Sequence, residues 1–152
     1  MILTLDEVKQ IREEIERDIS YKGIINEGHL DCVLNTIDFK YHGNDQYPTV
    51  YLKCAYLLES ICTEHFFYGG NKRTSLLVAK IFMMKNGYYL VIPLSTVRYS
   101  VLVAQKKRNF EQITKWIKKH SAKTYKSYIH KREKFIKKPA IKVMELLKTG
   151  RE

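Results

Sequence analysis

The sequence predicts an all-α domain built around one central buried helix at about residues 71–86. Two observations carry that reading. From Thr49 to Glu64, apolar residues recur at Val50, Cys54, Leu57, Leu58, Ile61 and Cys62, a helical rhythm. From Asn71 to Asn86 the chain favours helix, and its middle, Leu76 to Met84, is apolar almost all round. A helix apolar on every side belongs at the centre of a domain, and Asn86-Gly87 is a usual C-terminal stop.

The other elements follow in chain order. Thr4, followed three residues later by Glu7, is a capping-box pattern. It opens a first helix through Val8, Ile11, Ile15 and Ile19. Ser20 to Gly28 reads as a loop. His29 to Ile37 reads as a second helix with Leu30, Val33, Leu34 and Ile37 facing inward. Between Asp38 and Pro48, Phe39 and Tyr41 alternate with polar residues, and Gly43-Asn44-Asp45 supplies turn chemistry. After the central helix, Gly87 to Pro93 is a short extended connection. A helix follows from Ser95 or Thr96, using Val97, Val101, Leu102 and Ala104. Asn109 caps the next, with Phe110, Ile113, Trp116 and Ile117 on one face. Its end, Lys118-Lys119-His120, puts cations where the helix dipole favours them.

Bulk properties narrow the class. The chain has 152 residues, most simply one domain, and is long enough for a real core. No run of 18 apolar residues is present, which excludes a transmembrane helix. The first residues, Met1 to Glu7, lack the basic-then-apolar pattern of a signal peptide. Cys32, Cys54 and Cys62 form no C-x-x-C pair, and are read as buried apolar thiols of a cytoplasmic protein. His29, His42, His120 and His130 show no zinc-ligand spacing.

The net charge of +11 is uneven. Residues Ser121 to Glu152 carry +7, and the first 120 carry +4. In that tail Tyr125, Tyr128, Ile129, Phe135 and Ile136 make an imperfect apolar stripe, Pro139 ends or kinks the helix, and Ala140 to Lys148 adds a short second one. The bland reading is an amphipathic helix packed on the domain with a solvated basic face. The sharper one is a contact for nucleic acid or a ribonucleoprotein, because Lys and Arg interleaved with Tyr suit phosphates and bases. Charge alone sets only non-specific attraction, and the bland reading is preferred.

The chemistry concentrates in His65-Phe66-Phe67-Tyr68-Gly69-Gly70-Asn71-Lys72-Arg73-Thr74, a helix end, a glycine loop and the start of the central helix. A helix N-terminus presents unpaired N–H groups and the positive end of the dipole. Gly69 and Gly70 let a ligand approach the backbone. Lys72 and Arg73 place two cations in the first turn, where they are unfavourable unless an anion, phosphate above all, is bound. Asn71 caps the helix or donates to an oxygen. His65, across the loop, takes a proton near neutral pH or is a structural histidine at a helix end. The Walker A spacing is absent.

The string resembles the Fic/Doc family motif H-x-F-x-[DE]-G-N-[GK]-R. His65, Phe67, Gly70, Asn71, Lys72 and Arg73 match in register. Lys72 followed by Arg73-Thr74 is similar to the Doc (death on curing) branch. Gly69 stands where the family has an acidic residue, the usual holder of magnesium. The likeness extends over roughly residues 1–120, a Fic/Doc-like domain, and leaves 121–152 as a basic, mainly helical C-terminal extension packed on the same domain. It implies that Asp38 to Pro48 is a flap hairpin holding an extended target segment by strand pairing. The family's inhibitory [ST]-x-x-x-E-[GN] element has its nearest counterpart at Gly23 to Gly28, which lacks the Ser or Thr.

The resemblance implies a toxin of a toxin–antitoxin pair, with a small antitoxin as partner and ATP as substrate. His65 is the implied general base. Asn71 and Arg73 join it in the catalytic set. Gly69, Gly70, Asn71, Lys72 and Arg73 bind phosphate, and Phe67 anchors the loop in the core. Lys72 at the [GK] position, and Leu76 where AMP transferases carry a second arginine, favour transfer of the γ-phosphate of ATP to a Ser or Thr hydroxyl of a target protein, as in phosphorylation of elongation factor Tu. The alternatives are AMP transfer of the Fic type and a degenerate fold that binds a nucleotide or partner without transfer. With Gly69, no metal ligand is assigned, and any Mg2+ is held by nucleotide phosphates and water alone, or by an acid from elsewhere.

Overall fold

The computed structural model describes residues 1–135. Helix α1 (Leu5–Glu16) begins with the predicted capping box. The Thr4 side chain accepts from the Glu7 N–H, and the Glu7 carboxylate accepts from the Thr4 N–H at 2.8 Å. Helix α2 (Glu27–Thr36) is capped by Asn26. A hairpin follows, with β1 (Lys40–Tyr41) antiparallel to β2 (Asn44–Asp45). Its turn residues, His42 and Gly43, have φ of 49° and 81°. Two consecutive positive φ angles are what a two-residue hairpin turn of type I′ requires. The turn therefore sits one residue earlier than Gly43-Asn44-Asp45, because Asn44 and Asp45 are spent on pairing.

Helix α3 (Val50–Thr63), capped by Thr49, packs along the central helix α4 (Asn71–Lys85). α4 also touches α1, β3 (Tyr89–Leu90) and α5 (Ser95–Ala104). Helix α6 (Phe110–His120), with a capping box between Asn109 and Gln112, lies against α3. β4 (Ser121–Ala122) pairs antiparallel with β3, and α7 (Tyr125–Phe135) packs on that ribbon. The fold is all-α, as the hydrophobic spacing predicts, with one minimal hairpin and one two-stranded ribbon, β3–β4, that joins distant segments.

The core is the α3–α4 seam with α1 and α2 closing one side. Cys54, Leu57, Leu58, Ile61, Leu76, Val78, Ala79, Phe82 and Met83 are all buried in it. α4 is central, yet not apolar to solvent on every side. Met84 is exposed, and Lys80 and Ile81 are half-buried, so one outward strip escapes the packing. α5 differs more. Its buried positions are Thr96, Ser100 and Val103, while Val97, Val101, Leu102 and Ala104 are half-buried. Small polar residues face inward there because the backbone comes close. Cys62 Sγ donates to the Ser100 carbonyl at 3.3 Å. Cys54 and Cys62 are buried, but Cys32 is exposed on the outer face of α2, which corrects the reading of three buried thiols.

Pro139 and the second tail helix at Ala140–Lys148 lie outside the described residues. Among the described residues no helix is long and apolar enough to cross a membrane.

Candidate functional site

The motif loop is shaped from both ends. α3 ends at Glu64, and His65 then adopts φ 50°, a left-handed conformation uncommon for a residue with a side chain. That turn leaves the His65 side chain exposed and sends Phe66 and Phe67 into the core, each 1% exposed. At the other end Gly70, φ 70°, is the N-cap of α4, so Asn71 is the first helical residue rather than the cap.

Freed from capping, the Asn71 side chain closes the loop. Its Oδ1 accepts from the Phe67 N–H at 3.0 Å, and its Nδ2 donates to the Phe67 carbonyl at 2.8 Å. One amide thus satisfies both backbone polar groups of a buried residue, which would otherwise be costly. Thr74 Oγ1 donates to the Gly70 carbonyl at 2.9 Å and tightens the first turn.

A buried cation beneath the loop escaped the sequence reading. Arg12 on α1 is 2% exposed. Its guanidinium lies over the Phe67 ring at 4.7 Å and donates to Glu16 Oε1 (3.0 Å), Thr74 Oγ1 (3.4 Å) and the Tyr21 carbonyl (3.4 Å). Glu16 in turn accepts from the Gly23 N–H at 2.7 Å. Burial pushes the Glu16 carboxyl up, but the Gly23 N–H and Arg12 outweigh it, leaving it below the usual carboxylate range. The available signal was a lone Arg in the inward stripe Val8, Ile11, Ile15; in the sequence it reads as a surface residue.

Ser20 to Gly28 is more than a loop. Ile24 bridges Phe67, and the Ile25 N–H donates to the Phe66 carbonyl at 2.7 Å. Tyr68 packs within 3.6 Å of the position a Cβ would take on Gly23. The segment straps the motif loop against α1. His29 of α2 also reaches the site's edge. Its Nε2 is 3.0 Å from Glu64 Oε2, and its ring meets Phe66 edge-on at 5.0 Å.

The predicted site residues are therefore brought together. His65 ends one side of the loop, Gly69 is half-buried, and Gly70 is buried against Arg12 and Ile15 of α1 rather than open to a ligand. Lys72 and Arg73, half-buried, occupy the first turn of α4, which has no side-chain cap. Such an N-terminus attracts an anion through its N–H groups and dipole. Beside Glu64 opens a groove of about 610 Å³ lined by Tyr47, Tyr56, Lys106, Arg108 and Phe110 among others. Tyr47 and Tyr56 stack there at 4.7 Å, and burial raises the Glu59 carboxyl above its usual range.

The loop holds no carboxylate at Gly69. Glu16 is committed to Arg12 and Gly23, and Glu64 to His29. Among the described residues no three His, Cys, Asp or Glu gather as a metal site. A magnesium ion with a protein carboxylate ligand in the loop does not fit the residues present.

Toxin Doc of Mycolicibacterium smegmatis (strain ATCC 700084 / mc(2)155) is 36% identical over 63 residues, 41% of this chain and 48% of that protein. The chain thus spans about half the length of the curated relative it matches. A model of the Fic/DOC family matches residues 2–83, a stretch that runs from before α1 through the β1–β2 hairpin and the motif loop into α4. The chain, by that match and by the loop it contains, belongs to the Fic/DOC family.

Proposed function

We propose that this chain is a Doc-like toxin that transfers the γ-phosphoryl group of ATP to a Ser or Thr hydroxyl of a target protein. The observation that carries the reading is the uncapped start of α4, with Lys72 and Arg73 in its first turn and exposed His65 across the loop. His65 removes the proton of the target hydroxyl. The hydroxyl oxygen bonds to the γ-phosphorus, and the bond to the β–γ bridging oxygen breaks, releasing a nucleoside diphosphate. The first-turn N–H groups, Lys72 and Arg73 neutralise charge on the phosphoryl oxygens, arginine with its planar fork. Transfer of this kind needs mainly positioning and charge neutralisation, so few residues suffice. Asn71 acts by holding the loop shape through Phe67, and Phe67 by anchoring it.

The groove that ends at Glu64, the residue before His65, has Tyr47, Tyr56 and Phe110 on its wall and offers a nucleotide base an aromatic seat. The flap β1–β2, with exposed Phe39 and Tyr41, gives an extended target segment an edge to pair with. A small antitoxin is the expected partner, and an elongation factor the first target class to examine.

Gly69 supports a second reading, a Fic/DOC fold that binds nucleotide without transferring it. ATP labelled at the α or the γ phosphate, incubated with the protein, magnesium and a host extract, separates the two. His65-dependent label passing to a protein from γ alone is the expected result. Label from α makes the protein an AMP transferase. ATP bound without transfer from either position makes it a binding module.

A further inference from the structure

The end of α4 opposite the motif carries a second concentration of chemistry that phosphoryl transfer does not use. α4 has 15 residues, which at about 1.5 Å per residue sets the two ends roughly 22 Å apart. Just past its C-terminus, Tyr88 and Tyr89 enter the β3–β4 ribbon. The chain from Lys115 to Lys131, which supplies the end of α6, strand β4 and the start of α7, contains six lysines and no Asp or Glu. Among the described ion pairs, one involves this stretch, Lys115 with Glu111.

Tyrosine rings lie among those lysines. Tyr89 meets Tyr125 at 6.0 Å and Tyr128 at 5.4 Å, and Tyr125 is 64% exposed. Tyr51 meets Tyr88 at 5.4 Å. Lys118 Nζ stands 6.0 Å over the Tyr51 ring, and Lys123 Nζ 5.6 Å over the Tyr88 ring. Tyr88, one residue before β3, meets Tyr51 and Lys123, whereas Tyr89 within β3 meets Tyr125 and Tyr128, so the rings form two clusters beside the ribbon. Lys118, Lys119, Lys123 and Lys126, all exposed, lie in the same stretch of chain as these rings.

A solvated cationic face alone would draw any polyanion. Exposed Tyr125, with half-buried Tyr89 against it, adds to the cations a platform for flat, unpaired bases, which a duplex keeps stacked on one another. We propose that the β3–β4 ribbon with the start of α7 is a binding face for single-stranded nucleic acid, separate from the motif loop. Lys118, Lys123 and Lys126 contact phosphates, and Tyr89 and Tyr125 stack bases. The partner is committed by charge complementarity and by the rings; an acidic membrane surface offers the charge but nothing for the rings to stack on.

Fluorescence anisotropy of the full chain with a labelled oligouridylate, across a salt series, tests this. Binding that weakens with salt is expected. Lys118→Gln with Lys123→Gln reduces the magnitude of the log–log salt slope by about 1.4, at roughly 0.7 per phosphate contact on a single strand. Lys22→Gln, at the motif end, leaves the slope unchanged. Tyr125→Ala weakens binding roughly 5- to 150-fold, the range for losing one base stack, and Tyr125→Phe restores it. Tyr125 is exposed, so both variants keep the fold. Three results overturn the proposal: no binding at low salt, affinity indifferent to Tyr125→Ala, or a base-paired hairpin bound as tightly as the single strand. Binding to phosphatidylserine vesicles in place of the oligonucleotide overturns it as well.

Discussion

The Asn71 side chain holds both the N–H and the carbonyl of Phe67, at 3.0 and 2.8 Å. The residue that opens the central helix therefore also sets the curvature of the loop before it. Asn71→Ala leaves two buried backbone groups unmade, each worth about 1–3 kcal/mol. Urea unfolding should show a loss of that order. Asn71→Asp keeps the acceptor and turns a carboxylate against the Phe67 carbonyl, so it should be no better than alanine in the same measurement.

Arg12 is the buried cation on which the loop rests. Removing one partner of a buried pair costs about 3–5 kcal/mol. Glu16 is 19% exposed, so Arg12→Ala should fall at the low end. Arg12→Met with Glu16→Gln fills the space and removes the stranded charge, and should recover part of the loss in thermal unfolding. A double variant no more stable than Arg12→Ala would show that the cation–ring and Thr74 contacts, not the ion pair, carry the effect.

The two loop glycines should respond oppositely. Gly70 has φ 70°, and a Cβ there would lie 2.6 Å from Arg12 Nη1 and 3.2 Å from Ile15 Cγ2. Gly70→Ala combines left-handed strain, of order 1–3 kcal/mol, with displacement of Arg12, and should lower the melting temperature clearly. Gly69 is not among the left-handed glycines. Gly69→Asp should fold normally, and should raise any phosphoryl transfer measured in the presence of magnesium.

His120 supplies a pH dependence. Burial depresses its pKa below the usual histidine value. The Nδ1–H bond to the Trp116 carbonyl at 2.8 Å opposes that shift, while nearby Lys119 and Lys131 add to it. The folded state keeps the ring neutral, so its contribution is complete above the unfolded value near 6.5 and is lost as pH falls through the depressed folded one. The ring stacks on Trp116 at 4.3 Å. Denaturant midpoints followed by Trp116 fluorescence should drop between neutral and mildly acidic pH. His120→Gln should flatten that drop.

Much of the fold was legible because its signals are local. Caps at Thr4 and Asn109, the Asn86-Gly87 stop and the apolar rhythm of α3 depend on residues within a turn or two of one another, and each stands where the spacing puts it. The α5 face was misread because its inward side is chosen by how near α3 comes, not by hydrophobicity.

The sequence by itself determined the helical class, the order of elements and the run from His65 to Thr74, because register along one chain is enough to recognise them. Only the tertiary structure decided that Arg12 lies under Phe67, that Ile24 and Ile25 strap the loop, that His29 meets Glu64, and that Asn71 serves Phe67 instead of capping α4. Each of these joins residues whose meeting depends on how helices pack or which way one amide turns. No spacing along the chain encodes that; burial of the apolar faces against each other does.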